Sequence, residues 1–328
     1  MTKKRIFSGV QPSGDLHLGN YLGAISQWVE LQDKYESIFC VVDYHAITVK
    51  QDPEILRKKI IEIARIYLAS GINPQKAIIF QQSDVRAHTE LAWILNSTSA
   101  RMSDLNKMTQ FKDKAGNKVN NVSVGLFDYP VLQAADILLY DTEVVPVGED
   151  QVQHIELARD LAKRFNYNYE DVFKLPEAKI LKEGARIMAL DDPTKKMSKS
   201  ALSENSRINL LDDPKKAMKK IMKATTDAGS EIEYNPKEKV GISNLLMIYS
   251  LLSKKSIKDL EREYKDKMYG EFKKDLAGVV EEFLISFQEK YNSIKENEVK
   301  KILDDGARRA NLIAEKTLIK IKKSIGVN

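Results

Sequence analysis

Residues 9–24, GVQPSGDLHLGNYLGA, combine polar and glycine positions that could bind a phosphate-containing ligand. His17 and Asn20 are three residues apart at the start of a predicted helix, so their side chains project to one side as hydrogen-bond donors. Gly14 and Gly19 lack a Cβ and would let a planar ring or a phosphate approach the backbone closely. Taken alone, the segment is equally typical of a glycine-rich turn in which an asparagine caps a helix.

Residues 191–200, DDPTKKMSKS, form a second polar segment with a different chemistry. Lys196 and Lys199 are flanked there by the small residues Ser198 and Ser200, which predicts a loop that carries two positive charges. Such a loop could neutralise a departing polyphosphate. A lysine-rich loop is more often simply solvated, so this segment acquires a specific meaning only beside the first one.

Residues 130–139 are almost entirely apolar, with two polar exceptions, Gln133 and Asp136. With Tyr129 just ahead, the spacings of four and three place these side chains roughly on one side of a helix, and Pro130 is typical of its first turn. A carboxylate among apolar neighbours needs a partner if it is buried. A nearby arginine or a backbone group could supply that partner.

Short apolar runs alternate with helical patterns through the first half of the chain. The candidate strands are residues 6–7, 37–42 and 77–80, and the candidate helices are residues 53–69 and 149–165. This alternation predicts an α/β domain at residues 1–190, built on a doubly wound, parallel, Rossmann-type sheet. Residues 191–328 show helical periodicity with almost no strand signal, which predicts a second, all-α domain whose C-terminal helices can pack back on the first.

In a doubly wound sheet, ligands bind beyond the carboxyl ends of the strands. Residues 9–24 lie at such an end, directly after the first candidate strand. The segment is not G-x-G-x-x-G, and the chain contains no G-x-x-x-x-G-K-[ST]. Both the dinucleotide fingerprint and the P-loop are therefore excluded.

The composition, with 328 residues of which 43% are hydrophobic and 30% charged, is that of a globular protein with room for a second domain. The single cysteine, Cys40, excludes an intramolecular disulfide and a multi-cysteine zinc site, and its apolar neighbours indicate a small buried hydrophobe. No apolar run approaches the roughly 20 residues that cross a membrane, and residues 1–9 lack the apolar core of a signal peptide. We therefore expect a cytoplasmic protein.

The formal net charge of +5 is mild, but it is unevenly distributed. Residues 301–328 hold seven Lys or Arg against three Asp or Glu. This tail is typical either of a phosphate-binding surface or of a solvated helix face. No group of His, Asp and Glu resembles a metal cage, so we expect no protein-bound metal.

His17-Leu-Gly-Asn20 is similar to the HIGH signature, and Lys196-Met-Ser-Lys-Ser200 matches the KMSKS signature, of the class I aminoacyl-tRNA synthetases. The segments DYHAIT, MTQFKDK, AADILLYDTEVVPVGEDQVQHIELARDLAKRFN and GISNLLMIYS resemble the bacterial tryptophanyl-tRNA synthetase family, nearly end to end. This resemblance implies a Rossmann-type catalytic domain, an all-α anticodon-binding domain and a homodimer. It also implies that L-tryptophan is activated with ATP, accompanied by Mg²⁺, and transferred to tRNA(Trp).

The resemblance further implies a role for three sets of residues. The catalytic set is Gln11, His17, Asn20, Lys196 and Lys199. The ATP-binding set is Gln11, Pro12, Ser13, Gly19, Asn20, Lys114, Gly148, Glu149, Asp150, Ile187, Lys196, Met197, Ser198, Lys199 and Ser200. The tryptophan-binding set is Phe7, Gly9, His45, Tyr129, Gln133, Asp136, Val145, Val147 and Gln151. Within it, Asp136 would accept the indole N–H, which only donates.

Two features depart from the pattern of these relatives. Gln133 occupies a position where many of them have methionine. The segment NSTSARMSDLNKM differs in sequence from the corresponding segment of these relatives, in a region that often helps to form the dimer. Three other classes remain as alternatives: a tyrosyl-tRNA synthetase with the same fold, a nucleotidylyltransferase with a histidine-containing turn, and a non-catalytic RNA-binding paralogue. The segment VPVGEDQ, the KMSKS match and the intact His17 and Asn20 favour the tryptophan enzyme over each of them.

Overall fold

The computed structural model describes residues 3–109, 123–180, 186–199 and 201–327. The strands in this part of the chain are β1 (Arg5–Val10), β2 (Glu36–Val41), β3 (Ala77–Gln81), β4 (Val144–Val147) and β5 (Glu177–Ile180). They form one sheet in the order β3–β2–β1–β4–β5, and every neighbouring pair is parallel. Because the strand order reverses at β1, the sheet is doubly wound, and the predicted Rossmann-type fold is confirmed.

Helices connect the strands and form most of the remaining described chain. The α-helices are α1 (Leu18–Asn20), α2 (Ser26–Leu31), α3 (Asp43–Ala46), α4 (Pro53–Ala69), α5 (Ala87–Thr98), α6 (Met102–Leu105), α7 (Val124–Leu138), α8 (Val152–Asn168), α9 (Pro214–Lys223), α10 (Val240–Ser253), α11 (Ile257–Glu263), α12 (Tyr269–Ser293) and α13 (Glu296–Ser324). A π-helical turn covers Tyr21–Ile25, and 3₁₀ turns cover Gln82–Asp84, Glu149–Gln151 and Glu204–Ser206. Over the described ranges, none of the helices combines the length and the apolar character that crossing a membrane requires.

The three strands predicted from the sequence are present as β1, β2 and β3. The helix predicted at residues 53–69 is α4, in which the Asp52 carboxylate accepts hydrogen bonds from the backbone N–H groups of Glu54 and Ile55. The helix predicted at residues 149–165 begins as a 3₁₀ turn and continues as α8. Strong apolar periodicity thus predicted helix type and position well, and the ends less well.

Pro130 lies inside α7 rather than in its first turn, so that prediction is wrong. The helix begins six residues earlier, at Val124, where the Ser123 hydroxyl accepts a hydrogen bond of 3.2 Å from the backbone N–H of Leu126. A proline in a helix interior removes one backbone hydrogen bond and costs about 3 kcal/mol. Burial of the apolar positions of α7, among them Val131, offsets that cost.

The described residues divide into two compact units. The sheet unit contains the five strands and comprises residues within Met1–Ser13, Val29–Ile180 and Lys295–Asn328. The helical unit comprises residues within Gly14–Trp28 and Leu181–Ile294. Most of the histidine-containing segment therefore belongs to the helical unit, whereas α13 belongs to the sheet unit. The division into a catalytic and an anticodon-binding domain is a functional one and stays a prediction.

Helix α13 packs against β3, which is an edge strand of the sheet. The buried residues of α13 include four small ones, Gly306, Ala307, Ala310 and Ala314. A Cβ at position 306 would overlap the carbonyl oxygen of Ile79 in β3. Glycine is therefore required where the helix approaches the strand most closely.

The helical unit has an apolar core of its own, in which aromatic side chains meet. Tyr249, Tyr264 and Phe272 are buried, with ring centroids 5.1, 5.7 and 6.0 Å apart, and the two tyrosine hydroxyls are 3.1 Å apart. The same core includes Leu18, from the segment at residues 9–24, and Met197, from the segment at residues 191–200. Apolar packing therefore fixes both segments within this unit.

The variant Gly306→Ala should destabilise the sheet unit, because the added methyl group meets the backbone of β3, which cannot yield as a side chain would. Overpacking of this kind typically costs about 1–3 kcal/mol. The matched control is Gly278→Ala, where nothing lies within 4 Å of the added Cβ in the interior of α12, and where alanine stabilises by about 0.4–1 kcal/mol. Urea unfolding should shift in opposite directions for the two variants. A Gly306→Ala protein as stable as the wild type would contradict this packing.

Candidate active site

His17 and Asn20 form a reciprocal cap at the start of α1 in the helical unit. The backbone N–H of Asn20 donates to His17 Nδ1 over 3.3 Å, and the backbone N–H of His17 donates to Asn20 Oδ1 over 3.2 Å. Both side chains therefore accept a hydrogen bond in the cap, in addition to the donor role predicted from the sequence. Because Nδ1 accepts, the neutral imidazole carries its proton on Nε2, and that N–H is the donor left for a ligand.

The histidine turn is held in place by backbone pairing with a distant segment of the same unit. The N–H of Leu18 donates to the carbonyl of Ile208 over 2.8 Å, and the N–H of Leu210 donates to the carbonyl of Leu16 over 2.9 Å. An antiparallel bridge joins His17 to Asn209 between these two bonds. The position of His17 is thus set by backbone geometry.

The lysine-containing loop forms a short antiparallel pairing in the helical unit. The N–H of Met197 donates to the carbonyl of Ile187 over 3.0 Å, and that of Ala189 donates to the carbonyl of Lys195 over 2.8 Å. Met197 is 2% exposed and shares a core cluster with Ile187. The methionine of the KMSKS-like segment is therefore an apolar anchor, and the lysines on either side of it remain at the surface of that core.

The two segments lie together although they are far apart in the sequence. A Cβ at Gly14, whose φ is +63°, would lie 3.5 Å from Cβ of Lys199. A Cβ at Gly19 would lie 3.1 Å from His17 Nδ1 and 3.5 Å from Cβ of Ile187. The glycines at 14 and 19 therefore allow close approach between the histidine turn and the lysine loop.

The electrostatics of this region favour an anion. Burial, together with the positive charges of Lys199, Arg207 and Lys196, lowers the pKa of His17 from 6.5 to about 3. His17 is therefore neutral at physiological pH. A neutral N–H donor surrounded by fixed cations is suited to the oxygens of a polyphosphate.

Arg207 was missed from the sequence, because it belongs to no motif that spacing alone reveals. Its Nη1 donates to the carbonyl of Ala201 over 2.8 Å, just beyond the lysine loop, and its own carbonyl accepts from Lys220 Nζ over 2.9 Å. Arg207 therefore contributes charge beside His17 and fixes the backbone next to the KMSKS-like segment.

Asp136 lies in the sheet unit and is 1% exposed. Its Oδ2 is 2.8 Å from His45 Nε2, while its Oδ1 is 2.7 Å from both His88 Nδ1 and Gln82 Nε2. The prediction that a buried Asp136 needs partners is confirmed, although the partners are two histidines and a glutamine rather than an arginine or a backbone group. His88 and Gln82 were missed, and the one available signal was that the chain has only four histidines.

The carboxyl group of Asp136 stays ionised despite its burial. Burial alone would raise its pKa, but the hydrogen bonds from His45 and His88 outweigh this and hold the pKa well below the usual range. The Cys40 thiol is also buried, and burial raises its pKa well above the ordinary value. Asp136 is therefore a buried acceptor with a full negative charge.

Several other residues of the predicted tryptophan-binding set lie near one another in the sheet unit. The ring of Tyr129 is 6.2 Å from that of His45, and the Tyr129 hydroxyl is 3.0 Å from His154 Nε2. Gln133 Nε2 donates to Gln151 Oε1 over 3.5 Å. Gln133, the departure noted above, therefore lies beside another residue of the predicted tryptophan-binding set, Gln151.

The predicted residues that follow β1 and β4 lie at neighbouring strand ends of the sheet unit. Gln11 follows β1, and its Nε2 donates to the carbonyl of His45 over 3.1 Å. Gly148 follows β4 and precedes a 3₁₀ turn that contains Glu149 and Asp150. The strand order reverses between β2–β1 and β4, which is where ligands bind in open α/β sheets.

The predicted set is thus distributed over both units. In the sheet unit lie Phe7, Gly9, Gln11, Pro12, Ser13, His45, Tyr129, Gln133, Asp136, Val145, Val147, Gly148, Glu149, Asp150 and Gln151. In the helical unit lie His17, Gly19, Asn20, Ile187, Lys196, Met197, Ser198 and Lys199. Lys114 and Ser200 lie outside the described residues. Over the described ranges, no three His, Cys, Asp or Glu side chains are grouped so that they could hold a metal ion.

Acid should destabilise the fold through His17. The pKa of His17 is about 3 when folded and 6.5 when unfolded, so the unfolded state binds more protons between these values and the free energy of unfolding falls as the pH drops below 6.5. The variant His17→Asn does not titrate and keeps an acceptor for the cap. From pH 7 to pH 5, urea unfolding should show a loss about 1–2 kcal/mol smaller for the variant than for the wild type. The other three histidines are common to both proteins and cancel, so equal losses would contradict this assignment.

Comparison with known proteins gives a consistent result over the whole chain. A family model described as tRNA synthetases class I (W and Y) matches residues 2–285. The tryptophan–tRNA ligase of Caldanaerobacter subterraneus is 54% identical over 324 residues, covering 99% of this chain and 98% of that protein. The crystal structure of tryptophanyl-tRNA synthetase from Mycoplasma pneumoniae has a TM-score of 0.92 and 36% identity, covering 100% and 99% of the two chains.

A second solved structure, tryptophanyl-tRNA synthetase from Campylobacter jejuni, is complexed with ADP and tryptophan. It has a TM-score of 0.82 and 38% identity, covering 98% of this chain and 100% of that chain. Identity at these levels, sustained over nearly the full length, shows a common family and not merely a common fold. The chain belongs to the class I tRNA synthetases of the tryptophan and tyrosine family, and within it to the tryptophan–tRNA ligases.

Proposed function

We propose that this chain activates L-tryptophan with ATP, giving tryptophanyl-adenylate and pyrophosphate, and then transfers tryptophan to tRNA(Trp). The observation that carries this proposal is the packing of the histidine turn, which contains His17, beside the lysine loop, which contains Lys196 and Lys199. That arrangement offers donors and cations to a polyphosphate. The solved relative that is complexed with ADP and tryptophan supports the choice of ligands.

In the first step, a carboxylate oxygen of tryptophan attacks the α-phosphorus of ATP, and the bond from that phosphorus to pyrophosphate breaks. Charge develops on the departing oxygens, so catalysis depends on positioning and on nearby cations. Lys196 and Lys199 neutralise the pyrophosphate, and the Nε2–H of His17 donates to a phosphate oxygen. Mg²⁺ accompanies ATP and takes most of its ligands from phosphate and water. Asn20 orients the nucleotide.

On the amino-acid side, Asp136 accepts the indole N–H of tryptophan. Its Oδ1 already receives two donors, while its Oδ2 receives one from His45 among the described residues, so Oδ2 retains acceptor capacity. Phe7, Gly9, Val145 and Val147 form apolar walls. Gln151 and Tyr129 bind the ammonium group, and Gln133 supports Gln151.

In the second step, a ribose hydroxyl at the end of tRNA attacks the acyl carbon, and adenosine monophosphate departs. We infer that tRNA is bound through its phosphates by basic residues of the helical unit, which include Lys215, Lys216, Lys219 and Lys223 of α9. The remaining lysine of this helix, Lys220, is paired with Asp212. Three of the seven basic residues at 301–328 are already paired within the sheet unit, Arg308 and Arg309 with Asp305 and Lys322 with Glu90. The tail therefore contributes less to such binding than its composition indicates.

We further infer that the enzyme works as a homodimer in the cytoplasm. The strongly exposed large apolar side chains of the sheet unit include Trp93 on α5, Met102 on α6 and Val124 on α7. An exposed tryptophan of this kind is typical of a surface that a partner covers. A second copy of this chain is the partner that the family resemblance implies.

The role of the lysine loop can be tested by pyrophosphate exchange into ATP, measured with each of the twenty amino acids. The wild type should respond to tryptophan, and Lys199→Ala should lower the kcat of adenylate formation by about 10²–10³, the loss expected for one preorganised charge donor. The matched control is Lys195→Ala, which removes an equal charge from the same loop, where Lys195 pairs with Asp192. Tryptophan binding should barely change in either variant. Equal activity of the two variants would refute the role of Lys199.

The role of Asp136 can be tested with an analogue of tryptophan in which sulfur replaces the indole N–H. The wild type should prefer tryptophan, because the analogue buries the carboxylate with one acceptor position unused. Asp136→Asn keeps the volume and replaces one oxygen with a donor, so the preference should fall by about 10–100-fold, the loss of a hydrogen bond to a charged group. Asp136→Ala should lower the ratio of kcat/KM for tryptophan to kcat/KM for the analogue in the same way as Asp136→Asn. An unchanged ratio in both variants would mean that Asp136 does not read the indole nitrogen.

A further inference from the structure

A buried series of hydrogen bonds connects Asp136 to Tyr140 through His88. His88 Nδ1 is 2.7 Å from Asp136 Oδ1, and His88 Nε2 is 2.8 Å from the Tyr140 hydroxyl. None of the three side chains is appreciably exposed. Burial raises the pKa of the Tyr140 phenol well above its ordinary value, so the phenol keeps its proton and donates to His88 Nε2. His88 then carries its own proton on Nδ1 and donates it to the carboxylate.

A second buried donor, from Gln82, reaches the same carboxylate oxygen. Gln82 is 0% exposed, and its Nε2 is 2.7 Å from Asp136 Oδ1. Its Oε1 accepts a hydrogen bond of 3.0 Å from the backbone N–H of Tyr44. This backbone bond sets the orientation of the Gln82 amide. If the amide were flipped, its NH₂ group would face the donating N–H of Tyr44 and its oxygen would face the carboxylate of Asp136.

Both donors to Oδ1 are therefore anchored at their far ends, one by a phenol and the other by the backbone. Rotation of the carboxylate would break two buried hydrogen bonds, each of which is costly to leave unmade. The network fills the acceptor capacity of Oδ1 and leaves the remaining capacity on Oδ2, beside His45. The direction in which Asp136 can accept a ligand proton is thus fixed before a ligand binds.

We propose that Gln82, His88 and Tyr140 are positioning residues that hold Asp136 Oδ1 so that Oδ2 alone meets the N–H of the substrate ring, which makes the enzyme select against rings that lack this donor. This inference rests on the proposed role of Asp136. The Gln82 amide, the His88 imidazole and the Tyr140 hydroxyl act through Asp136 and need no contact with the substrate. Tyr140 also stacks on Phe7, with ring centroids 5.6 Å apart, so its ring and its hydroxyl have separate functions.

A purely structural role would give a different result from a positioning role. Any set of donors that stabilises the buried charge maintains stability, and removing one would lower the melting temperature and the overall activity. Positioning additionally affects the ratio of kcat/KM for tryptophan to that for the sulfur analogue, because the analogue makes no use of Oδ2. The KM for ATP should not change in either case.

The test uses three variants of the full chain. Tyr140→Phe removes only the hydroxyl. The ratio of kcat/KM for tryptophan to kcat/KM for the sulfur analogue should then fall about three- to tenfold, as expected for one neutral hydrogen bond. In His88→Asn the amide nitrogen takes the place of Nδ1 and restores the donor to Asp136, so its ratio should be close to that of Tyr140→Phe. In His88→Gln the amide lies near the former Nε2 and the donor to Asp136 is lost, so the ratio should fall furthest. In each variant the change should appear mainly in the KM for tryptophan.

The matched control is Tyr67→Phe, which also removes a buried hydroxyl from the sheet unit. The Tyr67 hydroxyl donates to the carbonyl of Cys40 over 3.1 Å, whereas the donors to Asp136 in the described part of the chain are His45, Gln82 and His88. This variant should lose stability to a similar extent and keep the wild-type ratio. If Tyr140→Phe and His88→Gln also keep the wild-type ratio, while Asp136→Asn loses it, the positioning role is refuted and the proposed role of Asp136 stands. If Asp136→Asn itself keeps the ratio, both fail together.

Discussion

A carboxylate that keeps its charge inside an apolar core must find hydrogen-bond donors there, and this constraint organises the sheet unit around Asp136. The donors come from three different elements: His45 from α3, Gln82 from the turn after β3, and His88 from α5. They can meet because β2 and β3 are parallel neighbours that end together, with Val41 paired to Gln81. The register of the sheet therefore determines the distances within the polar network, and a slip of one residue would remove its partners.

The two units handle charge in opposite ways. In the sheet unit, the buried carboxylate of Asp136 is surrounded by donors and by apolar side chains, which suits the recognition of one N–H group on a flat ring. In the helical unit, cations surround a histidine that burial keeps neutral, which suits a ligand rich in negatively charged oxygens. The neutrality of His17 matters, because a fourth positive charge at that point would have to be desolvated as well. Each unit thus has the electrostatic character that its proposed ligand requires.

Much of the fold could be predicted from the sequence, because apolar periodicity and the two signature segments are local signals. The strands at residues 6–7, 37–42 and 77–80 and helix α4 were predicted at nearly their observed positions. Pro130 misled the prediction of α7, since the cap that starts this helix, Ser123, lies seven residues earlier and no local rule ranks one start signal above the other.

The candidate site was only partly predictable for a related reason. A residue such as Asp136 is recognisable as a carboxylate in an apolar helix, but its partners are chosen by tertiary contacts. His88 lies 48 residues away in sequence and Gln82 lies 54 away, so no spacing pattern points to either. Arg207 is similar, because its influence on His17 arises from backbone pairing between Leu18 and Ile208. The proposed ATP-binding and tryptophan-binding roles came from resemblance to a family, not from spacing.

The packing of α13 on β3 has a consequence for how the chain acquires its structure during synthesis. The edge of β3 is complete once residue 81 has emerged, but the helix that packs on it begins at residue 296. At about 5–20 residues per second, translation leaves that edge without its helix for roughly 10–40 s. An uncovered strand edge pairs readily with other strands. Nascent chains of this protein therefore pass through a period in which they are prone to aggregation, and chaperone binding near β3 would protect them until α13 arrives.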